Sequence, residues 1–177
     1  GRIKVNPLSD YFPPIVILVR PQMAENIGAT ARAMMNCGLN DLRIVAPRDG
    51  WPNPLAVPMA AGAIQILENA TLHDNIASAA HDVSFLAAVS ARRRDMLMRK
   101  TDPRAVADEI LAHQGKAAFL FGPEASGLDN DEVVQADVLV TAALNPKYPS
   151  LNLAQAVLLL AWESKLRVHL LQHLLQQ

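Results

Sequence analysis

The stretch Asn145–Glu163, NPKYPSLNLAQAVLLLAWE, decides how the rest of the chain is read. From Leu153 to Trp162 every position except Gln155 is apolar, so no polar face is left for water. A helix that is hydrophobic all round is a buried helix, and this one is too short to span a bilayer. Pro149 and Ser150 stand just before it, and serine is among the preferred N-cap residues. Asn152 falls in the first turn, where a side chain reaches whatever lies against the helix start. A buried helix fed by a proline-rich polar loop (Asn145, Pro146, Tyr148, Pro149) is a way to hold a ligand. Taken alone, the stretch is explained more simply as a capped core helix.

Working outward, 177 residues suit one domain with a single well-buried core. With 51% hydrophobic and 19% charged residues the chain is globular, and 5% aromatics leave that core to aliphatics and alanine. The net charge of -1 carries no global nucleic-acid signature, although a local basic patch suffices for phosphate contacts. A lone cysteine, Cys37, excludes an internal disulfide and fits a reducing compartment. No signal-peptide pattern opens the chain and no apolar run reaches membrane length. The expectation is a cytoplasmic protein without a membrane partner.

Short β-branched or apolar runs predict strands at Ile15–Val19, Leu42–Ala46, Val83–Val89, Lys116–Phe121 and Val138–Leu144. The alanine-rich segment RPQMAENIGATARAMMNCGL (20–39) reads as a helix that Gly38 ends. Its small residues Gly28, Ala29, Ala31 and Ala33 permit close approach of a neighbour. Helices are also expected at 60–70, 72–80, 103–113 and 130–135, and loops at 48–58 and 90–104. Alternation of strands and helices predicts an α/β domain, a mostly parallel sheet with helices on both faces. Ligands bind such sheets at the carboxyl ends of the strands, so the loops after Val19, Val89, Phe121 and Leu144 are where a site belongs. The domain is expected to cover residues 1–165. Leu166, Leu170, Leu171, Leu174 and Leu175 recur at helical spacing and carry the last helix into a 166–177 tail.

Three motifs lie on or beside those loops. Asn26 and Arg32 are six residues apart on the first long helix, Asn26 near its start. FGPEASGL (121–128) follows a strand, with Gly122 and Gly127 allowing close backbone approach and Glu124 placing a carboxylate in the turn. It matches neither the dinucleotide fingerprint nor a Walker loop. Arg92, Arg93, Arg94, Arg99, Lys100 and Arg104 crowd one loop with only Asp95 and Asp102 against them, so it is either a solvated face or a phosphate-binding one. His169 and His173 sit one turn apart but no third ligand is near in sequence, so no metal site is expected.

Together, NIGATARAMMNCGL, FGPEASGL and NPKYPSLNLAQAV resemble, in order and spacing, the three motifs of the SpoU branch of the SPOUT RNA methyltransferases, and most closely its TrmJ-like group. The resemblance implies a C-terminal trefoil knot that holds S-adenosylmethionine, a homodimer, and methyl transfer to a ribose 2′-hydroxyl of RNA, most closely of the tRNA anticodon loop. It assigns catalytic roles to Asn26, Arg32, Glu124, Ser150 and Asn152. Cofactor contacts would come from Ser90, Ala91, Gly122, Ala143, Ser150, Leu151 and Asn152, and Arg92, Arg93, Arg94, Arg99 and Lys100 would face RNA. TrmJ-like proteins also continue past the leucine stripe, which makes a truncated extension the expectation at the C-terminus. Two positions depart from the pattern: Pro123 stands where arginine is usual, and Glu25 where glycine is common. A guanidinium is a cation with donors only, so Arg32 is suited to stabilise a developing alkoxide or bind a phosphate rather than to accept a proton. The competing readings are a non-catalytic RNA-binding relative, and a SPOUT enzyme acting on ribosomal RNA or on a base nitrogen.

Overall fold

A computed structural model of the chain describes residues 6–91 and 96–177. Its strands are β1 (Ile15–Val19), β2 (Leu42–Val45), β3 (Thr71–His73), β4 (Phe85–Val89), β5 (Lys100–Thr101), β6 (Ala117–Phe121) and β7 (Val138–Val140). They form one sheet in the order β3-β2-β1-β6-β4-β7-β5, parallel at every pairing. The central strands β1 and β6 are buried at all five positions, as a parallel sheet covered on both faces requires. Val16, Leu18, Phe119 and Phe121 feed one core layer, while Ile17, Val19, Ala118 and Leu120 feed the opposite one.

The two layers are covered unequally. The first lies under the long helices α1 (Ala24–Asn36), α5 (Pro103–Ala112) and α7 (Leu153–Leu175), with the short α2 (Val57–Ala60) and α3 (Ile64–Asn69) beside α1. The second lies under α4 (Ile76–Ala79), α6 (Asn130–Val133) and the buried Leu128. No helix among the described residues is long and apolar enough to cross a membrane.

Helix α1 stops where its sequence says it should. Gly38 adopts φ 73°, Gly38 N–H donates to Met35 O, and Leu39 N–H reaches back 2.9 Å to Met34 O. This is the paired closure that a left-handed residue allows. The small residues on α1 also act as expected, but toward this chain itself. A Cβ on Gly28 would lie 1.9 Å from Ala56 O, so α1 rests directly on the 3-10 turn Pro54–Ala56.

Three expectations are corrected. Residues 72–80 do not form one helix: parallel pairing with β2 claims 71–73, and the Asn75 side chain, 2.8 Å from Ser78 N, starts α4 afterwards. The loops at 48–58 and 90–104 are not wholly loops, since α2 begins at Val57 and Lys100–Thr101 pairs with the edge of β7. The third concerns α7. Ser150 is not its N-cap; Asn152 is, in a capping box with Gln155 (Asn152 Oδ1 to Gln155 N 2.8 Å, Asn152 N to Gln155 Oε1 3.1 Å). Nor is the helix buried all round, because Leu158 is 41% and Trp162 53% exposed. It packs on α1 and α5, which cover two sides and leave the third open. The helix continues unbroken across position 165 to Leu175.

Candidate active site

The loops after β4, β6 and β7 converge with the start of α7 on a cavity of about 200 Å³. It is large enough to bury part of a small organic molecule and too small for a nucleic-acid strand. Ser90, Ala91, Gly122, Glu124, Ser150 and Leu151, all singled out in the sequence, line it at the carboxyl ends of the strands. Val89, Val140, Leu144, Leu153 and Leu160 make much of the wall apolar, while Ser90, Ser126 and Ser150 bring hydroxyls. Ala143 is exposed between the lining residues Ala142 and Leu144, and Asn152 is occupied in capping α7; neither lines the cavity.

Glu124 joins this cavity to α1. One carboxylate oxygen accepts Gln22 N–H at 2.9 Å; the other accepts Met23 N–H at 2.9 Å and the Asn26 amide at 2.8 Å. Asn26 is therefore not the N-cap of α1. It sits in the first turn and, with two backbone donors that the helix cannot satisfy itself, grips a carboxylate from across the sheet. Burial pushes the Glu124 carboxyl up, but the Asn26 amide and the Gln22 and Met23 N–H groups outweigh it and hold the group below the usual carboxylate range. Both oxygens are committed to donors, so Glu124 is an anchored anion.

Arg32 is elsewhere. Six residues along a helix with 3.6 residues per turn place it about 9 Å farther on and about 120° round from Asn26. It is exposed, and among the described residues it has no hydrogen bond or ion pair. The basic loop divides likewise. Arg92, Arg93 and Arg94 lie outside the described residues. Arg99 pairs with Glu109 at 2.6 Å, Lys100 lies in β5 with Nζ on Met96 O at 3.2 Å, and Arg104 is exposed on α5.

Sequence reasoning missed the second set of ties across the sheet end. Gln22 Oε1 accepts Ala125 N–H at 3.1 Å, and Arg20 forks onto Glu132 at 2.7 and 3.0 Å. Position alone marks the loop after β1, because partners more than a hundred residues away leave no local pattern.

Residues 13–162 match the model of the SpoU rRNA Methylase family. The chain belongs to that family. Its relatives in the SpoU family include tRNA (cytidine-2′-O-)-methyltransferase TrmJ of Methanocaldococcus jannaschii, 38% identical over 151 residues that make up 84% of this chain and 65% of the relative. The crystal structure of TrmJ from Z. mobilis ZM4 superposes with a TM-score of 0.84 at 47% identity, covering 86% of this chain and 68% of that one. The SpoU methyltransferase AviRb from Streptomyces viridochromogenes, crystallised with AdoMet, shares the fold at 20% identity (TM-score 0.67, covering 95% of this chain and 61% of that one). The chain spans about two thirds of the length of the curated TrmJ of M. jannaschii and less of several others.

Proposed function

We propose that this chain methylates a ribose 2′-hydroxyl of RNA, tRNA first among candidates, with S-adenosylmethionine as donor. The observation that carries the reading is the Glu124 junction: one carboxylate ties the wall of a small cavity to the start of the helix that bears Arg32. The cavity suits the donor, since apolar residues offer a platform for a purine while Ser90, Ser126 and Ser150 meet a polar chain. TrmJ relatives named for 2′-O-methylation of tRNA support the same reaction.

When bound, S-adenosylmethionine supplies an electrophilic methyl carbon; the protein supplies position and charge. The loops after β4, β6 and β7 would hold the cofactor, with Ser90, Ala91, Gly122, Ser150 and Leu151 in contact. Asn26 and Glu124 fix the first turn of α1 against this wall. Arg32, uncommitted and exposed, stabilises the oxyanion that forms as the hydroxyl proton leaves to water, or holds the adjacent phosphate. Neither Glu124, saturated with donors, nor a guanidinium accepts that proton. Alignment of donor and acceptor supplies the remainder of the rate. The trefoil knot belongs to the same reading: β7 inserts between β4 and β5 before the chain returns as α7.

The working form is a homodimer. Leu158 and Trp162 on α7 and Met35 on α1 are exposed apolar residues on two helices that pack on each other, and a second copy would cover them by two-fold symmetry. The test of the activity is incubation with S-adenosylmethionine and tRNA, followed by alkaline hydrolysis. A methylated 2′-oxygen cannot attack its phosphate, so the ladder should lose a band at the modified position. An unbroken ladder, together with no cofactor binding at millimolar concentration, would refute it.

A further inference from the structure

We infer that Arg20 is a positioning residue for the cavity: its fork onto Glu132 holds the wall Gly122–Gly127 in place from the end of β1. The inference rests on the reading of that cavity as the cofactor site. Six consecutive residues, Gly122 to Gly127, line the cavity, and none belongs to a helix or strand. A segment without a ladder has to be fixed from outside. Its neck is closed by backbone alone: a Cβ on Gly122 would lie 2.2 Å from Leu128 N, Gly127 sits at φ 68°, and Gly127 N–H donates to Pro123 O at 2.8 Å. Glu124 ties its middle to Gln22, Met23 and Asn26.

The exit of the loop needs a second tie, and Arg20 provides it. Asp129 and Glu132 form the capping box of α6, with Glu132 Oε1 accepting Asp129 N–H at 2.9 Å. The same Oε1 accepts Arg20 Nη2 at 2.7 Å, and Oε2 accepts Arg20 Nε at 3.0 Å. The guanidinium thus locks the carboxylate bidentately while that carboxylate holds the loop exit. Asp129 itself stands 3.8 Å from Arg20. Arg20 does this from a backbone of φ 50°, its N–H donating to Val45 O at 2.7 Å. Glycine takes that conformation with less strain than any side-chain-bearing residue. What the position gains from arginine is therefore the side chain. Both ties draw one loop onto one seven-residue segment, Arg20–Asn26, so the wall moves with the start of α1.

Arg20 is 44% and Glu132 12% exposed; an ion pair with one end in solvent adds little to folding stability, which separates a positioning role from a structural one. Arg20→Gly and Arg20→Gln should leave thermal unfolding of the full chain near or above wild type, yet lower S-adenosylmethionine affinity and kcat by about tenfold. KM for tRNA should stay within twofold. Glu132→Gln should cause the same loss, and combining it with Arg20→Gln should add nothing further. Arg20→Lys, which keeps the charge without the fork, should recover part of the affinity. Wild-type cofactor affinity in the Arg20 and Glu132 variants, or losses that add in the double variant, would overturn the inference alone. Wild-type protein that binds no S-adenosylmethionine would overturn the functional reading and the inference with it.

Discussion

Glu124 shows how much one side chain organises. It is half-buried, it is negative, and three donors from the start of α1 surround it. Hydrogen bonds to a charged group contribute roughly 1.5–3 kcal/mol, so Asn26→Ala should reduce stability by about that much or less and abolish most activity, as calorimetry and a methyl-transfer assay would register. The pH dependence has a definite sign. The folded carboxyl lies below its unfolded value, so its stabilisation is complete above the free glutamate value, about 4.3. It is lost as the pH falls through the lower folded value. Glu124→Gln should flatten that acid limb of the unfolding curve; an identical acid limb would show that the carboxylate is not what holds α1. Asn26 and Glu124 were legible in the sequence because each stands in a recognisable motif. Arg20 and Gln22 were not, since an arginine after a strand has no signature until its partner is known.

At the scale of elements, legibility followed burial. The strands β1, β4 and β6 are apolar runs, and β2 is one apart from Arg43; most or all of their positions are buried, and such runs announce themselves. The strands β3 and β5 do not, having three and two residues that are exposed or half-exposed and placed by their neighbours alone. The packing of α1 on Pro54–Ala56 was half legible: glycine and alanines promised a close neighbour without saying which. Gly28→Ala tests it directly. A methyl group 1.9 Å from a carbonyl oxygen forces the helix outward, and overpacking of this kind costs about 1–3 kcal/mol, the upper end being expected against backbone. Thermal unfolding should fall by several degrees, whereas Ala29→Gly, on a half-exposed face, should cost about 1 kcal/mol.

At the scale of the molecule, the exposed apolar residues of α7 and the uncommitted Arg32 bear on the proposed dimer. Arg32→Ala protein, and Asn152→Ala protein that loses the cap fixing the start of α7 beside the cavity, should each lose most activity, and subunit exchange between them should restore it by rebuilding one intact site from two chains. Absence of recovery after demonstrated exchange would place both residues in one chain's site. The basic stretch makes a separate prediction. Neutralising Arg92, Arg93 and Arg94 should flatten the salt dependence of RNA binding by up to about one unit for each phosphate no longer neutralised, with cofactor affinity unchanged. An unaltered slope would return the stretch to solvent. Arg99, already paired with Glu109, should contribute less.

The sheet order also governs how the chain can be made. Strand β4 has two neighbours, β6 and β7, and both are synthesised after it. While a ribosome adds the residues from Val89 to Val140, which takes about 3–10 s at ordinary elongation rates, the apolar run FLAAV lacks its full set of pairing strands. The first half of the sheet, β1 with β2 and β3, can close during that time; the half that forms the cavity cannot. A nascent chain arrested before Ala117 should therefore be a chaperone client with its amino-terminal strands already protected from protease and β4 still open to cleavage.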